Sequence, residues 1–186
     1  MKRTFRITVF GGSTPKPGDP AYKQALHLGH LLGKEGYTVL TGGYIGTMEA
    51  VSRGAAEVGG QVIGVTCSEI EQWRPVGPNP WVKKENYYPS LMERLFALIE
   101  GCDVAIALPG GIGTLAEIAV MWTNLQIGAI PKRPLILVGS EWESTFEHFF
   151  NQLGDYVSPR DGYWLTFVPD VETAFQHVQA WAQKQE

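Results

Sequence analysis

Residues 104 to 117 read Val104-Ala105-Ile106-Ala107-Leu108-Pro109-Gly110-Gly111-Ile112-Gly113-Thr114-Leu115-Ala116-Glu117. Five apolar residues run without alternation into a glycine turn, and an apolar helical pattern follows from Leu115 to about Ile127. A short continuous apolar run bounded by turn residues marks a strand buried on both faces, as in a parallel sheet. Glycines let the chain turn tightly and come close to a ligand. The stretch predicts a strand, a tight turn and a helix, in that order.

The same grammar repeats outward. Upstream, Tyr37 to Leu40 reads as a strand, and Thr41-Gly42-Gly43-Tyr44-Ile45-Gly46-Thr47 repeats the order Gly-Gly, spacer, Gly-Thr before a helix over 47–58. Earlier still, the strand Arg6 to Phe10 stops at Gly11-Gly12-Ser13, and a helix over 21–35 ends at Gly36 as its C-terminal cap. A strand over 61–65 and a helix over 90–100 complete the upstream half. Downstream come a strand over 135–138, a helix over 144–153, a strand over 165–168 and a helix from Val171. Strands alternating with helices imply right-handed crossovers and a mostly parallel sheet with helices on both faces. The expected fold is a single doubly wound, Rossmann-like α/β domain spanning 1–186. One segment breaks the rhythm: 67–89 holds Pro75, Pro78, Pro80 and Pro89 with Trp73, Trp81, Tyr87 and Tyr88. It reads as a long connection, functional or packed down by its own side chains.

Composition narrows the function. Of the 186 residues, 44% are hydrophobic and 18% charged, which suits a packed core, and the net charge of −4 offers no basic field to a nucleic-acid backbone. No apolar run approaches the length of a membrane span. Met1-Lys2-Arg3-Thr4 leads into strand-like residues without the apolar region of a signal peptide, so a cytoplasmic location is expected. Cys67 and Cys102 give neither a metal spacing nor a disulfide framework. His27 and His30 share a helix face with no third ligand in sequence, so no metal is expected.

Chemistry is expected where strand order reverses, beyond the carboxyl ends of the strands. A helix start there offers unpaired N–H groups and partial positive charge to a phosphate. Neither glycine turn is a P-loop, because no Lys follows the last glycine. Ser13 lies outside any Gly-x-Ser-x-Gly elbow, which argues against a hydrolase nucleophile and leaves it as a ligand hydrogen-bonding residue. By local pattern, Thr114-Leu115-Ala116-Glu117 is a capping box worth about 1 kcal/mol. Arg94 falls on the edge of the apolar stripe of the 90–100 helix, beside Leu98, where an arginine ordinarily snorkels.

The segment Pro109 to Glu117 resembles the Pro-Gly-Gly-x-Gly-Thr-x-x-Glu signature of the LONELY GUY family, the cytokinin riboside 5′-monophosphate phosphoribohydrolases. Gly11-Gly12-Ser13, Thr41 to Ala50 and Met92-Glu93-Arg94 extend the resemblance over most of the chain. It implies a Rossmann-like homodimer that hydrolyses the N-glycosidic bond of a nucleoside 5′-monophosphate, giving free base and ribose 5-phosphate without a cofactor. It also implies that Arg94 and Glu117 are the catalytic pair, reversing the local reading of both. Gly12, Ser13, Gly43, Gly46, Thr47, Met48, Pro109, Gly110, Gly111, Gly113 and Thr114 would bind the phosphorylated substrate. The chain departs from the family pattern at Leu95, Ala116 and Glu49, where Lys, Glu and Gly are common. The alternative is a non-catalytic carrier of a nucleotide or of the phosphorylated pterin of the molybdenum cofactor. Lysine decarboxylation ranks below both, since nothing marks a Lys for a Schiff base.

Overall fold

The structure is a computed structural model and describes residues 4–158 and 160–185. The reading of Met1 to Arg3 lies outside them. Seven strands, β1 (Arg6–Phe10), β2 (Thr38–Thr41), β3 (Gln61–Cys67), β4 (Lys84–Tyr88), β5 (Val104–Ala107), β6 (Leu135–Val138) and β7 (Leu165–Val168), form one sheet. Its order is β4-β3-β2-β1-β5-β6-β7, and every pairing is parallel. Helices α1 (Pro20–Lys34), α2 (Thr47–Glu57), α3 (Ser68–Trp73), α4 (Leu91–Glu100), α5 (Ile112–Gln126) and α6 (Ser140–Gln152) connect them, with a 3-10 turn at Asp161–Trp164, and α7 (Val171–Gln183) follows β7.

Successive residues of a strand point to opposite faces, so each buried strand feeds two cores. Val104 and Ile106 join Ile7, Val39 and Ile136 in one core, covered by α1, α2 and α7. Ala105 and Ala107 join Phe10, Leu40 and Leu135 in the other, covered by α4, α5 and α6. The continuous apolar runs are therefore the direct consequence of burial on both sides. Gly36, at φ 81°, closes α1, with its amide bonded to the Gly33 carbonyl and that of Tyr37 to the Leu32 carbonyl.

Three expectations need correction. The 67–89 segment is not one connection: it contains α3 and the edge strand β4, whose Asn86 pairs with Val65. The prolines at 75, 78 and 80 precede that strand and leave its ladder intact. Helix α5 starts at Ile112, three residues before the apolar pattern, with Gly111 as N-cap and no side-chain cap. Helix α6 starts at Ser140, earlier than the expected 144. Among the described residues no helix is long and apolar enough to cross a membrane.

Chain order reverses between β1 and β5. From β1 the chain winds outward through β2 and β3 to β4, and from β5 it winds the opposite way through β6 to β7. The turns after β1 and β5 thus flank the crevice where doubly wound sheets take their ligands.

Candidate active site

Gly12 stitches the strand ends together. Its amide donates to the Pro109 carbonyl at 3.3 Å, and its carbonyl accepts from the Thr47 amide at 2.9 Å and from Thr47 Oγ1 at 3.0 Å. The turns after β1, β2 and β5 are thereby one constellation. Gly46, at φ 78° and ψ −137°, holds a conformation open to glycine alone, and a Cβ there would overlap the Gly12 carbonyl oxygen. Gly43, Gly46 and Thr47 are buried, and Met48 is half-buried with its sulfur against Gly42.

The turn after β5 is different. Gly110, Gly111 and Gly113 are exposed, and a Cβ added at Gly111 or Gly113 would meet nothing within 4 Å. The first intrahelical bond of α5 runs from the Leu115 amide to the Gly111 carbonyl, so the amides of Ile112, Gly113 and Thr114 have no acceptor within the helix. A helix start in this form accepts an anion readily.

Thr114 is buried in the first turn of α5, not at its cap, so the capping-box reading of Thr114 and Glu117 is overturned. Glu117 lies on the next turn, its side chain 12% exposed, with Oε1 3.8 Å from Nη1 of Arg94. Burial pushes its carboxyl up to about 7, and the Arg94 charge pulls it part of the way back. Arg94 does not snorkel. It is 5% exposed, Nε donates to the Val65 carbonyl at 2.7 Å, and its guanidinium sits 5.7 Å from the Tyr44 ring centroid. A Cβ at Gly42 would overlap its Nη2, which explains a glycine there. The 3.8 Å separation makes the pair Coulombic and leaves both groups free to hydrogen-bond a third.

Several supports were not expected from the sequence. Tyr44 is buried, accepts from the Cys67 amide at 2.9 Å, and lies 3.2 Å from the Cys67 carbonyl and 3.3 Å from Glu71 Oε1; burial holds its hydroxyl up at about 12. Asn79 Nδ2 donates to the carbonyls of Gly43 and Tyr44, both at 2.9 Å, and ties the 79–82 turn to the first glycine turn. Arg74 Nη1 donates to Ser13 Oγ at 3.3 Å. Asn79 between two prolines is a turn signal, but its partners lie more than thirty residues away and leave no local trace. His27 and His30 pair with Glu172 and Glu57, and among the described residues no cluster of His, Cys, Asp or Glu could hold a metal ion. Two surface cavities, of about 320 and 290 Å³, are lined by residues of the α6–β7 region and by none of the glycine turns.

The family model of the SLOG cluster4 family matches residues 4–152, which include the turns after β1, β2 and β5. The chain belongs to the SLOG cluster4 family. This SLOG cluster4 chain is similar to a cytokinin riboside 5′-monophosphate phosphoribohydrolase of Oryza sativa subsp. japonica, 35% identical over 137 residues, covering 73% of the chain and 55% of that protein. A Mycobacterium tuberculosis protein of the same name is 29% identical over 177 residues, covering 92% of each. The chain spans about half the length of the rice relatives it matches. Among solved structures, the molybdenum cofactor binding protein of Rippkaea orientalis superposes with a TM-score of 0.74 at 26% identity, covering 97% of this chain and 98% of that one.

Proposed function

We propose that the chain, working as one domain over 1–186, hydrolyses the N-glycosidic bond of a nucleoside 5′-monophosphate to free base and ribose 5-phosphate. The observation that carries this reading is the buried Arg94–Glu117 pair beside an open glycine turn at the point of strand reversal. In the reaction the C1′–N bond breaks with its electrons leaving on the base. The sugar gains oxocarbenium character, which a fixed carboxylate stabilises. Water then bonds to C1′; one of its protons passes to Glu117 and on to the base. A carboxyl poised near 7 suits that exchange. Arg94, held by Val65 and Tyr44, orients Glu117 or the sugar. The amides of Ile112, Gly113 and Thr114, with Gly110, Gly111 and Ser13, take the 5′-phosphate. Gly12, Gly43, Gly46, Thr47, Met48 and Pro109 shape that pocket more than they touch the ligand.

The relatives named as phosphoribohydrolases support the activity, and no cofactor enters the chemistry. Cytoplasmic location, and no nucleic-acid partner, belong to the same proposal. So does a homodimer: Leu91, Met92 and Phe96 on α4 and Ile112 at the start of α5 are exposed apolar side chains, Ile112 at 82%. Such a group suits a subunit contact next to the site, and light scattering at the mass of a monomer would remove it.

The test is direct. The pure protein is incubated with a panel of nucleoside 5′-monophosphates and the matching nucleosides, and ribose 5-phosphate or ribose is assayed. AMP should exceed adenosine in kcat/KM by about two to four decades, since charge-assisted hydrogen bonds contribute about 1.5–3 kcal/mol each. Glu117→Gln should lower turnover at least about a hundredfold while nucleotide Kd stays within a few-fold. The likeness to a molybdenum cofactor binding protein favours the second reading, a carrier of a phosphorylated pterin. That reading forecasts no turnover in the parent and equal retention of the pterin by parent and Glu117→Gln.

A further inference from the structure

Arg74 follows α3 directly and begins the proline-rich stretch toward β4. Its guanidinium reaches the turn after β1, where Nη1 donates to Ser13 Oγ at 3.3 Å, and it lies 5.7 Å from the ring centroid of Trp73. Among the described residues no carboxylate pairs with it. Its Nε is the one buried side-chain nitrogen or oxygen among them without a hydrogen-bond partner. Arg94, the other arginine at these strand ends, has its Nε bonded to the Val65 carbonyl and its charge paired with Glu117. Arginine stays charged throughout the physiological range and offers five donors in a planar fork. Arg74 therefore brings to the strand reversal a charge that no carboxylate among the described residues balances. A buried N–H without a partner is uncommon in folded proteins and calls for one from outside.

The location says which. Ser13 follows Gly12, whose amide is bonded to the Pro109 carbonyl and whose α-carbon region lies against Gly110. Arg74 thus stands beside the turn assigned above to the 5′-phosphate. We infer that Arg74 is a specificity-determining residue of that site, binding the phosphate dianion through its fork while Ser13 orients it. The inference rests on the phosphate site of the proposed function. It explains how the pocket selects monophosphates over nucleosides although the Arg94 charge is paired with Glu117.

Calorimetry with ribose 5-phosphate and steady-state kinetics with AMP and adenosine, on the parent, Arg74→Gln and Arg74→Lys, test it. Melting temperatures serve as the folding control. Arg74→Gln should raise the Kd of ribose 5-phosphate and the KM for AMP by about 10- to 100-fold, with kcat changed by about threefold or less. Arg74→Lys should recover part of the loss, because it keeps the charge and gives up the fork. Adenosine should be indifferent to both substitutions. If the parent cleaves AMP and Arg74→Gln leaves KM and Kd unchanged, the role of Arg74 is overturned and the hydrolase reading stands. If the parent binds ribose 5-phosphate in an Arg74-dependent way and cleaves nothing, Arg74 is sustained and the hydrolase reading falls. Equal losses for AMP and adenosine, or a lowered melting temperature without a change in KM, would make Arg74 a structural residue and overturn the inference. A parent with no affinity for either phosphorylated probe overturns both.

Discussion

The turns Thr41–Thr47 and Pro109–Thr114 are near-copies in sequence and opposites in structure. In the first, the backbone is consumed internally: the Gly43 carbonyl accepts from both nitrogens of Asn79, and the Thr47 amide is taken by Gly12. In the second, the glycines are exposed and the first amides of α5 have no helical acceptor. Two glycine-rich turns on one sheet thus divide the labour. The first is a bracket that fixes Gly12 and Gly42, and through Gly42 the space for Arg94. The second is the surface that the proposed function assigns to the ligand. A motif made of glycine specifies how closely backbone can be approached, and the neighbouring elements decide whether protein or ligand makes the approach.

The largest expected effect comes from breaking the bracket. Gly46→Ala places a Cβ on the Gly12 carbonyl in a backbone region that L-residues avoid, and should cost at least about 3 kcal/mol of unfolding free energy. Chemical denaturation measures it. A loss under about 1 kcal/mol would mean that the first turn is not rigid and that the contrast between the turns is overstated.

The next effect sets the bracket's stability against the second turn's chemistry. Glu117 rises from an ordinary 4.5 to about 7 on folding, chiefly by burial. The folded state then binds the proton more tightly than the unfolded one, so the contribution is fully favourable below about 4.5 and is lost as pH rises through about 7. At about 1.4 kcal/mol per pKa unit the loss is up to about 3 kcal/mol. Unfolding free energies of the parent and Glu117→Gln, compared at pH 4.5, 6 and 8, should show the variant gaining on the parent as pH rises. A difference independent of pH would place the carboxyl in water. On the proposed mechanism activity runs the other way, falling as pH drops below about 7, because the carboxylate is the working form.

Asn79→Ala isolates the tie between the bracket and the proline-rich stretch. It removes two donors to buried carbonyls, so a loss of about 2 kcal/mol is expected, by thermal or chemical unfolding. Activity per folded molecule should hold, since Asn79 bonds the first turn and not the second. A collapse of turnover at full stability would move the first turn into the ligand site.

The strand–turn–helix units were legible because burial on both faces of a parallel sheet leaves a local record, as Val104 to Ala107 does. Strand β4 left none: Lys84-Glu85-Asn86-Tyr87-Tyr88 is half-exposed at a sheet edge, and only β3 supplies its pairing. The capping pattern shows the limit most clearly. Ser90-Leu91-Met92-Glu93 forms the reciprocal box, with the Ser90 amide donating to Glu93 and the Glu93 amide to Ser90 Oγ. Thr114-Leu115-Ala116-Glu117 has the same pattern and does not, because Gly111 starts the helix three residues earlier. The family resemblance named Glu117 and Arg94 together where local pattern assigned each a surface role. Their juxtaposition depends on β3, which accepts from Arg94 across 29 residues. Arg74 had neither a local nor a family signal.

The smallest expected change in stability carries the sharpest contrast with Gly46. Gly113 sits in the first turn of α5 at a negative φ, and a Cβ there meets nothing within 4 Å of the chain. Gly113→Ala therefore adds no clash and removes freedom from the unfolded chain, so the melting temperature should hold or rise, by about 0.4–1 kcal/mol in free energy. Yet the space that the methyl enters is the space assigned to the phosphate, whose bonds to backbone amides demand close approach. The Kd for AMP or ribose 5-phosphate should therefore weaken by about tenfold or more in a protein that is as stable as its parent. Thus one Gly→Ala change would destroy the fold's bracket without touching the ligand, and the other would impair the ligand site without touching the fold. Unaltered affinity in Gly113→Ala would mean that the phosphate does not sit on this helix start, and the second turn would lose its claim to a different role from the first.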